Sequence, residues 1–270
     1  MRSAPRAHLP RLGALLLATA LAGCATTRPM APPPAAGLPP LPADWRAVPN
    51  PVPRYLPPAP RGNPPFYDVD GRRYYVLPSA AGYNQIGVAS WYGPDFDGKH
   101  TADGDRYNMY AMTAANKVLP LPTYVRVTDL SNGRSIIVKV NDRGPFVAHR
   151  LIDLSYLAAA KLGMLGTGTA LVDVQAITPG SPANIAGAVA PIGAFLYVQV
   201  GAFAVPANAT RVLARLQAAG LSDAFILSPA VIGGDLYRVR VGPIHDVADY
   251  DRLAARLAAL GYPGAILVKP

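Results

Sequence analysis

Two short segments set aspartates among glycine, arginine and asparagine: TADGDRYNM, Thr101 to Met109, and VNDRGPF, Val140 to Phe146. Carboxyl groups gathered at one cleft can donate a proton to a leaving group, take one from a nucleophile and stabilise positive charge between them. In the second segment the apolar run Ile136, Ile137, Val138 passes through Lys139 and Val140 into Asn141, Asp142, Arg143 and Gly144. The strand therefore stops where the polar cluster starts. A carboxylate beside a turn at a strand end faces a cleft more readily than a core. The competing reading is purely local, because Asn, Asp and Gly form turns wherever a chain must reverse. No His or Cys cluster has metal-ligand spacing and no glycine loop would cradle a phosphate, so neither a metal nor another cofactor is expected.

The elements that must position these residues are mainly short strands: Val88 to Tyr92, Tyr124 to Thr128, Ile136 to Val140 and Leu171 to Ala176, with the turn Ser131, Asn132, Gly133 joining the second to the third. Ahead of them YDVDGRRYYVLP reads as a strand pair turned at Asp70 and Gly71. One helix is expected over Leu154 to Leu162, with Asp153 as its cap and Gly163 past its end. Short strands with one helix suggest a small β-barrel over residues 67 to 176. Residues 177 to 193, rich in Pro, Gly and Ala, form a linker.

A weak repeat follows over 194 to 270: LYVQVGAF then a helix near Asn208 to Ala218, and LYRVRVGPI then a helix near Val247 to Leu260, capped by Asn208 and Asp246. Strands near Ala224 to Leu227 and Ala265 to Val268 complete an α/β module of four strands and two helices. Alternation puts Arg238 and Arg240 on one sheet face, with Gln199 nearby, and Val239 and Val241 on the other. The two arginines suit either a solvated face or the hydroxyl and acyl groups of a sugar.

The chain has 270 residues and a formal charge of +9, with 30 prolines and 25 glycines, too many for one compact core. All 16 acidic residues are aspartate. The charge suits an anionic partner, yet the basic residues are scattered and carry no nucleic-acid motif. The single cysteine, Cys24, closes TALAGC after a basic start and an apolar run from Leu12 to Leu21, too short to span a bilayer. A signal peptide over 1 to 23 is expected. The segment looks like a bacterial lipobox, and that resemblance implies acylation of Cys24 and, with Ala25 next, sorting to the outer membrane. From 25 to 66, 15 prolines in 42 positions read as a tether without a core. Fully extended it would reach on the order of 130 Å.

GVASWYG, then TADGDRYNMYAMTAANKVLPLPTYVRVTDLSNGRSIIVKVNDRGPF, then RLIDLSYLAAAKLGM resemble in order the catalytic domain of the rare lipoprotein A (RlpA) family of lytic transglycosylases. The resemblance implies a double-psi β-barrel that cuts peptidoglycan glycan strands without attacking water, the sugar's own 6-hydroxyl closing a 1,6-anhydromuramic end. It places the family's acid at Asp105, its histidine at Asn116 and its second acid at Asp142. Asp105 stands where Glu is usual and Asn116 where His is, and His100 is the one imidazole close by. Trp91 and Tyr92 in SWYG would stack on a sugar, or serve as core. Arg143 would hold Asp142 as a bidentate partner. Residues 194 to 270 resemble the SPOR domain, which implies binding of stem-peptide-free glycan at the division septum through Gln199, Phe203, Arg238 and Arg240. Two functions fit: a lipid-anchored septal enzyme working beside division proteins, or a wall-binding lipoprotein of the same architecture with an exhausted site.

Overall fold

The computed structural model describes residues 37–180, 196–229 and 235–270. The expected lipidation site Cys24, with the whole leader, and most of the expected linker lie outside them. A hairpin of β1 (Phe66–Val69) and β2 (Arg72–Tyr75) comes first, turned at Asp70 and Gly71 as the sequence predicts.

Six strands then close a barrel: β3 (Asn84–Tyr92), β4 (Thr113–Asn116), β5 (Thr123–Asp129), β6 (Ser135–Asp142), β7 (Ile152–Ser155) and β8 (Ala170–Ala176), in the order β3-β7-β4-β6-β5-β8. The contacts β3–β7 and β4–β6 are parallel and the rest antiparallel, in the double-psi arrangement. Alternation sends Ala89, Ala114, Val125, Val138, Val140, Ile152 and Leu154 inward to a sealed core. Helix α1 (Tyr156–Leu162) closes against β6 and β7.

Two strands escape the branched-residue signal. β4 reads TAAN and carries no Val or Ile, and β7 reads IDLS and runs straight into α1. Asp153 is consequently not a helix cap; Ser155 caps α1, its hydroxyl accepting from the Ala158 N–H at 3.2 Å. Gly163 ends that helix in the left-handed region, φ +91°, where a side chain is strained.

The C-terminal module is an antiparallel sheet of β9 (Leu196–Phe203), β10 (Ala224–Leu227), β11 (Tyr237–Ile244) and β12 (Ile266–Val268), ordered β10-β11-β9-β12. Helices α2 (Pro206–Ala218) and α3 (Val247–Ala259) contribute Leu216, Tyr250 and Leu257 to its core. Asp246 caps α3 as expected, accepting from the Asp249 N–H at 2.7 Å. Asn208 does not cap α2: the helix starts earlier, at Val205, because Pro206 suits a first-turn position that needs no N–H donor.

The proline-rich stretch differs most from its sequence reading. From residue 37 to 66 it lies on the barrel as a strap, Leu41, Trp45, Val48 and Ala59 packing on the barrel core. Its backbone is tied down: Ala59 N–H donates to Leu121 O at 2.8 Å, and the Tyr156 and Tyr110 hydroxyls donate to Pro39 O and Pro40 O at 3.0 and 3.2 Å. Prolines cannot donate to a ladder, so side-chain donors of the barrel satisfy the strap's carbonyls instead.

Candidate active site

Asp142 owes its orientation to one extra residue. Along β6, Val138 and Val140 point inward and are fully buried, so strict alternation would carry Asp142 inward too. The pairing with β4 slips instead: Ala114 faces Val140 but Ala115 faces Asp142, leaving Asn141 as a bulge. The bulge turns Asp142 to the outer face. Ala115 is paired on its other side with Asp153 of β7, which is paired with Ser90 of β3. Four strands thus present Ser90, Asp153, Ala115 and Asp142 in one row. Two strand spacings separate the backbones of the two aspartates, about 9.5 Å. Both are partly exposed, and the one strand position between them, Ala115, is buried.

The TADGD loop is built onto this row. Asp142 Oδ1 accepts from the Ala102 and Arg143 N–H groups, each at 2.8 Å. The loop is locked by Asp103 N–H to Asn141 O at 3.2 Å and by the Thr101 hydroxyl to Asp103 Oδ1 at 2.7 Å. Burial pushes the Asp142 carboxyl above the usual carboxylate range, while the two N–H donors favour its ionised form.

Asp105 has the opposite character. Its carboxylate is 55% exposed and pairs with Lys139 Nζ at 2.7 Å, and that contact holds its pKa below the usual range. It lines a groove of about 790 Å³ with Lys139, Asn141 and Tyr124, and the strap from Val48 to Val52 forms part of the same lining. Asp105 and Asp142 are thus brought to the same loop, on either side of Asn141, but Asp142 is not among the residues lining that groove.

Other expected residues are placed differently. Asn116 is 1% exposed and its amide is consumed: Oδ1 accepts from Val118 and Leu119 N–H, each at 2.9 Å, and Nδ2 donates to Leu151 O at 3.1 Å. It holds a turn and reaches no reacting atom. Arg143 does not hold Asp142 with its side chain. Its guanidinium donates to Gly62 O from Nε and Nη2 at 3.0 and 2.7 Å, and from Nη1 to Leu119 O and Asn116 O at 2.6 and 3.1 Å. Only its backbone N–H serves the carboxylate. Gly62 lies so close to the TADGD loop, at φ +82°, that a Cβ would sit 2.7 Å from Ala102 O. Arg143 therefore clips the strap behind the loop that feeds Asp142. The ring nitrogen of His100 is turned to its own loop, 3.2 Å from Gly104 O.

Trp91 packs in the barrel core, its ring 5.6 Å from that of Tyr156. Tyr92 stacks on Tyr107 at 4.2 Å, and burial, Tyr107 and the charges of Asp142 and Asp153 push its hydroxyl well above the usual range. In the C-terminal module the register sets Gln199 opposite Arg240 and Ala202 opposite Arg238, on the sheet face away from Val239 and Val241. Arg240 is 8% exposed and donates to Lys269 O at 3.0 Å. Phe203 pairs with Tyr237 and packs with it on the helix-side core, so it does not join Gln199 and the arginines.

Sequence reasoning missed the standing of Asp153. Its carboxylate accepts from the Ser90 hydroxyl, and burial pushes its pKa up against the opposing charges of Lys117 and Arg150. Lys117, itself partly buried, is pushed down to about 8. The missed signal was the pair Asp153 and Ser155, two capping residue types two positions apart; the second claims the helix and frees the first.

A family profile described as lytic transglycolase matches residues 84–174, and one described as SPOR domain matches residues 193–269. The chain is 38% identical over 284 residues to the endolytic peptidoglycan transglycosylase RlpA of Pseudomonas aeruginosa strain UCBPP-PA14, an alignment covering 84% of this chain and 82% of that one. It is 52% identical over 120 residues to the protein of the same name from Neisseria meningitidis serogroup A, covering 44% and 50%. With the Campylobacter jejuni protein of that name it shares 43% identity over 166 residues, covering 55% and 60%. Among solved structures, a Clavibacter michiganensis expansin aligns at 15% identity with a TM-score of 0.28, covering 45% of this chain and 57% of that one.

Proposed function

The chain belongs to the RlpA family of endolytic peptidoglycan transglycosylases, and on that footing we propose that it cleaves peptidoglycan glycan strands as a lytic transglycosylase. The observation that carries the reading at the level of chemistry is Asp142, turned out of the barrel by a bulge and supplied with two backbone N–H donors. In the reaction the bond from the anomeric carbon to the leaving oxygen breaks, and a bond from that carbon to the sugar's own 6-hydroxyl oxygen forms. The hydroxyl gives up its proton and the leaving oxygen gains one, so no water is consumed. Asp142, whose carboxylate accepts two backbone N–H groups, takes the hydroxyl proton. Asp105, held ionised beside Lys139, contributes negative charge where the oxocarbenium character develops.

The finer reading is that the preferred strands lack stem peptides and lie at the division septum, with the C-terminal module delivering the barrel to them. Gln199 and Arg238, both partly exposed on the same sheet face, support it, since their amide and guanidinium groups suit sugar acyl and hydroxyl oxygens, with the buried Arg240 beneath them adding positive charge. The lipobox-like TALAGC supports anchoring through acylated Cys24 in the outer membrane, facing the periplasm.

The test is digestion of stem-peptide-free glycan by the full chain. Strands ending in 1,6-anhydromuramic acid are expected from the parent and lost in Asp142→Asn. Strands left intact after prolonged digestion, beside an active control enzyme, overturn the proposal.

A further inference from the structure

Breaking the glycosidic bond requires a proton for the leaving oxygen, and the two carboxylates given a role so far do not supply it. Asp105 is exposed and held ionised by Lys139, the wrong state for a proton donor. Asp142 is pushed up by burial against its two N–H donors, but it is already engaged as the base for the 6-hydroxyl and cannot give a proton to the leaving oxygen in the same step. Asn116 has no proton to give and is sealed in its turn.

We infer that Asp153 is a second catalytic carboxyl, the general acid, set in the same row as Asp142 with one buried strand position, Ala115, between them, so that the two partly exposed carboxyls can serve opposite sides of one bond. The inference rests on the transglycosylase reading above. Its geometric ground is the row Ser90–Asp153–Ala115–Asp142, fixed by three strand pairings and one bulge. The side chain between the two carboxyls is the smallest that β4 can offer while keeping its backbone conformation. Both acids are partly exposed, and so is Ser90. Asp153 accepts one hydroxyl, from Ser90, where Asp142 accepts two backbone N–H groups. Two carboxyls in unlike surroundings divide the work: the better-solvated anion takes a proton and the more buried acid gives one.

The balance closes on these two groups. Protonated Asp153 transfers its proton to the leaving oxygen as the C1–O4 bond breaks, and ionised Asp142 takes the 6-hydroxyl proton as the C1–O6 bond forms. Afterwards Asp142 is protonated and Asp153 ionised, and exchange with solvent at the partly exposed row restores both. Burial favours the neutral form of Asp153. The cations of Lys117 and Arg150 pull the other way, and the charge of Asp142 again favours neutrality. Tyr92 and Tyr107 also lie within the field of Asp153, and their hydroxyls stay protonated across the working range.

The experiment compares the full-length parent, Asp153→Asn and Lys117→Met on stem-peptide-free glycan, with folding followed by thermal unfolding. Asp153→Asn is expected to lower turnover about 100-fold or more, the usual contribution of a general acid. The same variant should recover most of its rate on a peptide-free oligosaccharide whose dinitrophenyl leaving group needs no proton, whereas Asp142→Asn should not. In Lys117→Met the loss of a neighbouring cation should raise the pKa of Asp153, moving the alkaline limb of the pH–rate profile to higher pH. A folded Asp153→Asn within about two-fold of the parent overturns the inference, as does equal loss on both substrates. Should Asp153→Asn fail to fold, an unmoved alkaline limb in Lys117→Met overturns it. An inactive parent instead counts against the transglycosylase reading itself.

Discussion

Arg143 turns its guanidinium away from the adjacent Asp142 and onto Gly62, 81 residues earlier, whose carbonyl it meets from Nε and Nη2 at 3.0 and 2.7 Å. The arginine of the NDRG segment is thereby a structural clip between the strap, the turn after β4 and the end of β6. Its contribution to the site passes through the backbone it fixes.

Arg143→Lys is expected to destabilise the protein by about 2–3 kcal/mol, because an ammonium cannot meet Gly62, Leu119 and Asn116 carbonyls together and leaves buried acceptors unpaired. Chemical denaturation of the full chain measures it. The pH at which Asp142 titrates should move little, since burial and its two N–H donors outweigh the Arg143 charge.

The strap makes a second test. Trp45 and Leu41 pack on the barrel core and Asn63 bridges to Leu121, its Oδ1 accepting from the Leu121 N–H at 2.7 Å and its Nδ2 donating to the Leu121 carbonyl at 2.7 Å. Trp45→Ala should cost about 2 kcal/mol, less than full burial would because the ring is only partly covered. Asn63→Ala should cost roughly 1–2 kcal/mol by orphaning the Leu121 N–H, while the Leu121 carbonyl keeps the Ala59 N–H as donor. Equilibrium unfolding in urea reads both. A chain cut at residue 66 would expose this face, so soluble forms should begin upstream of residue 37.

How much of this the sequence disclosed follows from what kind of signal each part leaves. Strands β3, β5, β6 and β8 carry runs of branched apolar residues, and the α2 and α3 faces repeat at helical spacing, so local pattern finds them. TAAN in β4 has no such residue, and IDLS in β7 fuses with the apolar period of α1. Proline content shows that the strap cannot make a core of its own but not that Leu41, Trp45, Val48 and Ala59 add to one made elsewhere. Asp142 was legible as a strand-end carboxylate, yet its outward turn depends on a bulge at Asn141 that alternation alone would have reversed. Asn116, read from its position in TAANK, belongs to a hydrogen-bonded turn because its neighbours Val118 and Leu119 offer N–H groups that only the fold aims at it.

The ion pair of Asp105 with Lys139 separates function from stability. Both groups are substantially solvated, so Asp105→Asn should change stability by less than about 0.5 kcal/mol. The depressed pKa of Asp105 means that its ionised form persists below the ordinary carboxylate range. The acidic limb of the activity profile should therefore belong to Asp142, whose pKa is raised, and Asp105→Asn should lower the plateau without moving that limb. A pH–rate profile of the variant against the parent decides it.

Asp153 offers the last prediction, in which the gain lies in stability and the loss in activity. Its folded-state pKa is raised by burial above the unfolded value. A group shifted this way favours the fold fully below its unfolded pKa, and that advantage is lost as pH rises through the folded pKa. At neutral pH the parent thus carries the cost of an ionisable carboxyl held in poor solvent, a cost that an amide of the same shape does not share. Asp153→Asn should raise the melting temperature by a few degrees at pH 7, and the gain should shrink towards nothing below about pH 4, where the unfolded chain's aspartate is itself protonated. Thermal unfolding of both proteins between these pH values measures the difference. A gain that persists unchanged at low pH would place its origin in packing around Ser90 instead of in the carboxyl charge. A variant stabilised at neutral pH and impaired in turnover is the behaviour expected of a residue kept for chemistry at the expense of the fold.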